Sequence, residues 1–268
     1  MKSIFSIFIF LPAFVCAQQM DLPAGRQLKG SFTSFTADNL GNLYVLTTEN
    51  QLKKFNVRGD SMGVFNDVRR YGKLSQINAT NPLRTVLFYR DFRTIVVLDR
   101  LMNTVNTIDL RRLNIFQVRV VAPAYDNNVW VFDEQESKLK KVGEDGRLLS
   151  ETADLRLVLD EAPIPQRIFD QNGYVYMYDP GKGIFIFDYY GALKNKIALL
   201  NWADLQVLGT TIAGRVDDKI MSYRTGTLDI RETPVPQAVA TSQNIQITPL
   251  GIYVLDEKGV TLYSFTGY

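Results

Sequence analysis

Asp133, Asp179 and Asp256 each close a four-residue apolar run, Val-Trp-Val-Phe, Val-Tyr-Met-Tyr and Ile-Tyr-Val-Leu respectively. Carboxylates repeated at one aligned position could form part of an oxygen ring for a hard cation such as calcium. Asp91 stands on a comparable loop, so these four are the candidates for a metal-assisted hydrolase. The same aspartates read equally as turn residues, because a carboxylate that accepts from nearby main-chain amides starts many tight turns. The turn reading is the expected one. The residue type recurs where the turn recurs, and Thr47, Arg90 and Tyr223 fill the aligned position in the other units.

Charge is the second concentration of chemistry. Arg90 and Arg93 flank Asp91 in the most basic part of the chain: residues 67–112 hold nine Lys/Arg against four Asp/Glu, a net of +5. Residues 126–161 hold five against ten, a net of −5. Adjacent fields of opposite sign could steer a charged partner, unless they are spent in surface ion pairs. The chain as a whole carries only +2, well short of the basic excess of a nucleic-acid binder, so no nucleic acid is expected as partner. None of its 268 residues is a histidine. That removes histidine general bases, Ser-His-Asp and Cys-His nucleophiles, and histidine metal ligands. Asp179-Pro180-Gly181-Lys182-Gly183 lacks the spacing of a phosphate loop and has no helix after it.

The elements that position these groups repeat. Strands with a large apolar second residue occur at Tyr44, Leu87, Trp130, Tyr176, Ile220 (a weaker copy) and Tyr253, in steps of 43, 43, 46, 44 and 33. Several strands per unit at a spacing near 40 are the signature of a propeller. Each unit opens on an apolar strand (34–37, 118–122, 245–248) and an Asp/Asn/Gly turn. An anchor strand and a third strand follow, the latter at 51–55, 94–98, 138–142, 184–187, 227–231 and 260–265. The anchor strands are apolar at consecutive positions, so both faces must be buried. Asp-Leu or Asp-Val pairs at 21, 67, 109, 154 and 204 precede each unit, the Asp suited to capping a short turn and the Leu to filling the space between blades. The last unit stops after its third strand, so residues 21–30 are predicted to supply its outer strand and close the ring.

Asp38-Asn39-Leu40-Gly41-Asn42-Leu43-Tyr44-Val45 resembles the D-x-x-G-N-L-Y-V core of NHL-type propeller repeats, and Asp170 to Val175 is a looser copy. The resemblance implies an all-β fold, a six-bladed β-propeller of the NHL/TolB-like type with four-stranded blades. It implies no activity, because that architecture hosts enzymes, sensors and scaffolds alike. Lactonases built on such propellers are the reason to weigh calcium at Asp91, Asp133, Asp179 and Asp256.

At the N-terminus, Lys2, an apolar run over residues 4–15 and Val15-Cys16-Ala17 read as a signal peptide cleaved after Ala17. The alternative is lipidation of Cys16, the chain's single cysteine, although Ala13-Phe14-Val15 lacks the small residue a lipobox wants before it. The run is shorter than the roughly 20 apolar residues of a spanning helix. The expectation is therefore a signal peptide over 1–17 and one propeller domain over 18–268, periplasmic, secreted or on the cell surface, cysteine-free and monomeric, with no integral span. The first functional expectation is a non-catalytic binding or scaffolding module for a protein or a cell-envelope polymer, needing no cofactor. A calcium-type hydrolase is the alternative. A small-ligand or glycan binder using Tyr189, Tyr190 and Trp202 is the third.

Overall fold

Runs such as Val129–Asp133 and Tyr174–Asp179 can be buried at nearly every position only if a layer lies on each side of their sheet. The computed structural model, which describes residues 22–159 and 161–265, meets this demand with six four-stranded antiparallel sheets arranged as a ring. Blade 1 comprises Phe32–Ala37, Leu43–Thr47, Leu52–Phe55 and Ser61–Phe65. Blade 2 comprises Gln76–Asn81, Arg84–Tyr89, Thr94–Asp99 and Thr104–Asp109. Blade 3 runs through Val118–Pro123, Val129–Asp133, Lys138–Val142 and Leu148–Glu151. Blade 4 holds Arg167–Gln171, Tyr174–Asp179, Gly183–Asp188 and Leu193–Ile197. Blade 5 holds Ala203–Leu208, Thr211–Val216, Lys219–Arg224 and Ile230–Pro234. Blade 6 takes Asn244–Thr248, Gly251–Asp256 and Gly259–Ser264 from the C-terminal end and Ala24–Lys29 from the N-terminal end.

The closing strand pairs antiparallel, Ala24 with Tyr263 and Lys29 with Gly259, so the predicted closure is what the chain does. Gly259 is required there. Its φ is +135°, and a Cβ would run into the Leu28 carbonyl oxygen. Each seam between blades is filled by its own apolar cluster, from Tyr44, Leu87 and Tyr89 between blades 1 and 2 to Phe35, Val45 and Tyr253 between blades 6 and 1. A fully buried side chain of this size contributes about 1.5–3 kcal/mol.

The turn chemistry is repetitive. Asp38, Asn56, Asp99 and Asp188 each accept, through one side-chain oxygen, the amides two and four residues ahead. Three residues on, Gly41, Gly59, Met102 and Gly191 take the left-handed conformation that completes the turn. Met102 tolerates it because its side chain is buried in the cluster between blades 1 and 2.

Antiparallel order places the connections on two faces. The second-to-third turns and the crossovers between blades share one, here the helix face, because the short helices Val68–Tyr71, Leu155–Leu159 and Gln237–Ala240 lie in those crossovers. The first-to-second and third-to-fourth turns make the other, the turn face. Of the Asp-Leu pairs, Leu22, Leu110, Leu155 and Leu205 are buried between blades as expected. Asp109 and Asp154 accept the amides two residues on, from Arg111 and Arg156. Asp67 makes no side-chain cap. Asp204 instead faces Arg215 at 2.8 Å, and Asp21 lies outside the described residues, as do the expected signal peptide, its cleavage point and Cys16.

Blade 5 departs from the predicted register. Lys219–Arg224 is its third strand, not its anchor, and the residues expected as its third strand lead into its fourth, Ile230–Pro234. The true second strand, Thr211–Val216, carries Ala213 at the anchor position and Gly214 after it. Trp202 packs so close that a Cβ at Gly214 would stand 3.0 Å from the Trp202 Cβ. A bulky crossover residue has replaced a bulky strand residue. Tyr223 accordingly leaves the aligned aspartate position, which Val216 occupies.

Between innermost strands, side-chain amides bridge three seams. Gln246 of blade 6 accepts from Ala37 N at 2.7 Å and donates to Ala37 O at 2.9 Å, holding blade 1. Gln76 of blade 2 clasps Val121 of blade 3 in the same way, at 3.1 and 2.6 Å. Gln171 of blade 4 donates to Val207 O at 2.7 Å and accepts from Gly209 N at 3.3 Å in blade 5, with its amide oriented as those partners require. Gln246→Ala leaves one amide and one carbonyl at the closing seam without partners. The expected loss is about 1–3 kcal/mol in urea unfolding, and deletion of residues 18–30 should lower the unfolding temperature of the whole ring. A deleted form as heat-resistant as the parent would refute the role assigned to the closing strand.

Candidate functional site

The three aligned aspartates are each engaged by their own turn. Asp179 accepts from Gly181 N at 2.9 Å and Ile164 N at 2.7 Å, and Asp256 from Lys258 N at 2.7 Å and Gly259 N at 3.1 Å. Asp133 accepts from Gln135 N at 3.0 Å and pairs with Lys140 Nζ at 2.8 Å, with both side chains almost fully buried. Glu136 at 3.0 Å completes the pairing of that ammonium. Lys140 thus supplies at Asp133 the positive charge a cation would bring. No group of three Asp, Glu or Cys side chains poised to hold a metal occurs among the described residues.

Arg90, Asp91 and Arg93 are brought together. They line a recess of about 400 Å³ on the helix face at the seam of blades 2 and 3, closed by Phe116, Gln117, Val118 and Glu134. The two arginines come from the turn after Arg84–Tyr89, and the far wall from the crossover and first strand of blade 3. Both guanidinium groups are steered by main-chain carbonyls: Arg90 Nη2 donates to Arg119 O at 3.0 Å, and Arg93 Nε to Phe116 O at 2.8 Å. Arg93 has φ +51°, and its carbonyl accepts from Leu110 N at 3.0 Å, fixing the turn against the crossover. Glu134 is held by Arg119 at 2.6 Å. Among the described residues no carboxylate lies within ion-pair distance of Arg90 or Arg93. Each keeps guanidinium donors free for an anion.

The surrounding charge is one-sided. Arg69, Arg70, Lys73 and Arg112 are exposed on the same face of blade 2. Much of the acidic stretch of blade 3 is spent in ion pairs. Asp126 pairs with Lys141, Glu144 with Arg84, Asp145 with Arg147, Glu151 with Lys138 and Asp154 with Arg156. Of the two fields expected from the sequence, the basic one keeps Arg90 and Arg93 without carboxylate partners, whereas these five carboxylates of the acidic one are ion-paired. Phe92 and Phe116 are exposed beside the recess, so a partner would meet apolar as well as cationic surface. Phe116, Gln117 and Glu134 had no signal of their own in the sequence, since they reach the site only through the contact of two blades.

The aromatic candidates separate. Trp202 is core, its main-chain N–H donating to the Tyr178 hydroxyl at 2.7 Å. Tyr190 is almost fully exposed on the turn face, and Tyr189 is half-buried there.

No protein-family model matches the chain, and no curated protein matches it by sequence. Solved structures do match by shape. A catalytically inactive histidine-to-alanine variant of virginiamycin B lyase from Staphylococcus aureus, bound to quinupristin, is 13% identical. The match covers 93% of this chain and 88% of that one, with a TM-score of 0.57. The Pan2 WD40 domain of Neurospora crassa is 14% identical, covering 85% and 76%, TM-score 0.59. The extracellular domain of a hybrid two-component system protein from B. thetaiotaomicron is 14% identical over 87% of this chain and 33% of that one, TM-score 0.57. At such identities the likeness shows the fold, a β-propeller like those the NHL-type motif resembled.

The buried pair at Asp133 has a pH signature. Burial alone would depress the Lys140 ammonium, but its hydrogen bonds to Asp133 and Glu136 outweigh that and raise it above 10.5. The Lys140 hydrogen bond holds the Glu136 carboxyl below its usual 4.5. The lysine's contribution is complete below its unfolded pKa and is lost as pH rises through the higher folded value. The glutamate's is present above its unfolded pKa and is lost as pH falls through the lower folded one. Lys140→Ala should cost about 3 kcal/mol at neutral pH, with the gap to the parent narrowing at both the acid and alkaline ends of a denaturation series. A gap independent of pH would sink this assignment.

Proposed function

We propose that this protein is an exported, non-catalytic β-propeller that binds an anionic protein or cell-envelope polymer through the helix face of blades 2 and 3. One observation carries the reading. Arg90 and Arg93 are held in place by carbonyls at the edge of a recess, with no carboxylate of the described chain to neutralise them. An anion entering there would gain charge-assisted hydrogen bonds without first displacing an internal partner. The exposed arginines and lysine around it would raise the rate of encounter. Export is supported by the leader-like residues 1–17, and an extracellular domain is among the structures of similar shape. No helix of the described residues is long and apolar enough to cross a membrane.

Two enzymatic readings find less support. One shape-similar lyase is described as inactive once a histidine becomes alanine, and this chain has no histidine to play such a part. A calcium-type hydrolase would draw on Asp91, Asp133, Asp179 and Asp256, yet three of them satisfy local turns and Asp133 also holds a lysine. Calorimetry with calcium tests it directly, and saturable heat at millimolar metal would revive it.

For the binding reading, the parent and an Arg90→Ala/Arg93→Ala variant are compared on poly-glutamate and on fractionated envelope extracts. The variant is expected to bind about 10- to 100-fold more weakly, a loss of about 1.4–2.8 kcal/mol, with a shallower dependence on salt. Equal binding by the two proteins would remove the recess as the docking site.

A further inference from the structure

The turn face carries a second built feature, at the seam of blades 3 and 4, that the basic recess does not use. Tyr125 comes from the first turn of blade 3 and Tyr189 from the last turn of blade 4. Their rings stack with centroids 4.7 Å apart and planes 11° from parallel. Asp170 fixes the pair from beneath. It accepts from the Tyr189 hydroxyl at 2.6 Å, from Trp130 Nε1 at 2.8 Å and from Tyr125 N at 3.2 Å. Lys141 Nζ lies 5.1, 5.2 and 5.4 Å from the ring centres of Tyr125, Trp130 and Tyr189, and Asp126 neutralises it at 2.7 Å.

Each of these contacts orders Tyr125, yet its side of the stack away from the core stays open: the residue is 66% exposed. An isolated exposed tyrosine would be unremarkable. Here the ring is stacked on Tyr189 and its main-chain amide is bonded to Asp170. A partner that covers it therefore freezes little side-chain freedom.

The surroundings narrow the occupant. The cation-binding interior of the aromatic group already holds an ammonium, so a cationic ligand would compete with Lys141 for it. The rim beside Tyr125 is polar, formed by Asp126, Asn127 and Asn128, which does not suit an apolar ligand. A flat ring with C–H bonds on one face and hydroxyls around its edge meets both conditions. We propose that Tyr125 is the stacking platform of a saccharide site, taking a neutral pyranose unit with its hydroxyls toward the carboxylate and amides of residues 126–128. The site lies on the face opposite the basic recess and is independent of it.

The test is a titration of the folded chain, followed by calorimetry and by tryptophan fluorescence, with cellotetraose, chitotetraose and xylotetraose up to about 10 mM. Tetramethylammonium serves as the cationic control. At least one sugar is expected to bind saturably, with affinity lowered at least about tenfold by Tyr125→Ala, kept by Tyr125→Phe, and untouched by Arg90→Ala/Arg93→Ala. That last arm separates the site from the anionic docking recess. Tyr125→Ala loses only the stack on Tyr189 and the contact with Lys141, so it should still unfold cooperatively within a few degrees of the parent. The proposal is overturned if none of the sugars binds, if binding survives Tyr125→Ala undiminished, or if tetramethylammonium binds and the sugars do not.

Discussion

The pairing of Ala24–Lys29 with Gly259–Ser264 is the constraint on which the rest of the molecule depends. A sheet stack with free ends exposes a core cluster at each end. A ring has no ends, and each of its six clusters is covered by two blades. The closing strand carries little apolar material of its own, and its worth lies in completing a sheet whose other three strands arrive last. Both the recess at blades 2 and 3 and the tyrosine stack at blades 3 and 4 are seam features. Their geometry follows from the ring holding neighbouring blades at a fixed angle.

What could be read from the residues in advance was whatever is local and repeated. The Asp-x-x-Gly turns, the doubly buried anchor strands and the unfinished last blade each left a pattern within a few residues, and together they gave the blade number and its closure. Blade 5 escaped because the bulk marking an anchor strand had moved to Trp202 in the crossover, where no strand pattern registers it. The site was half legible. Arg90, Asp91 and Arg93 stood out by charge, but Phe116 and Glu134 join them through tertiary contact alone. The difference between a free arginine and a neutralised one is invisible without coordinates. The same holds for Lys140, whose capture of Asp133 turned a candidate ligand into half of an ion pair.

Two neighbouring blades use charge in opposite ways. On blade 3, ammonium groups sit directly against carboxylates, several at 2.5–2.8 Å, and each such contact discharges the pair locally. On the helix face of blade 2 the cations are matched to carbonyl oxygens, which orient a guanidinium without discharging it. A carbonyl dipole positions and a carboxylate neutralises, and this difference lets two neighbouring blades of similar charge density present different surfaces to a partner.

The glutamine clasps fall at every second seam, between blades 2 and 3, 4 and 5, and 6 and 1. Among the described residues no glutamine clasp spans the three remaining seams, between blades 1 and 2, 3 and 4, and 5 and 6. The inner wall of this six-unit ring therefore follows a threefold rhythm, joints spanned by an amide alternating with joints that lack one. Water can replace an amide's hydrogen bonds but cannot replace apolar contact, so the apolar cluster behind each clasp would keep those three seams closed when solvent reaches the inner wall. The described ends of the chain meet elsewhere, inside the sheet of blade 6, where Ala24–Lys29 lies on Gly259–Ser264 and main-chain pairing rather than a side-chain amide holds the ring shut.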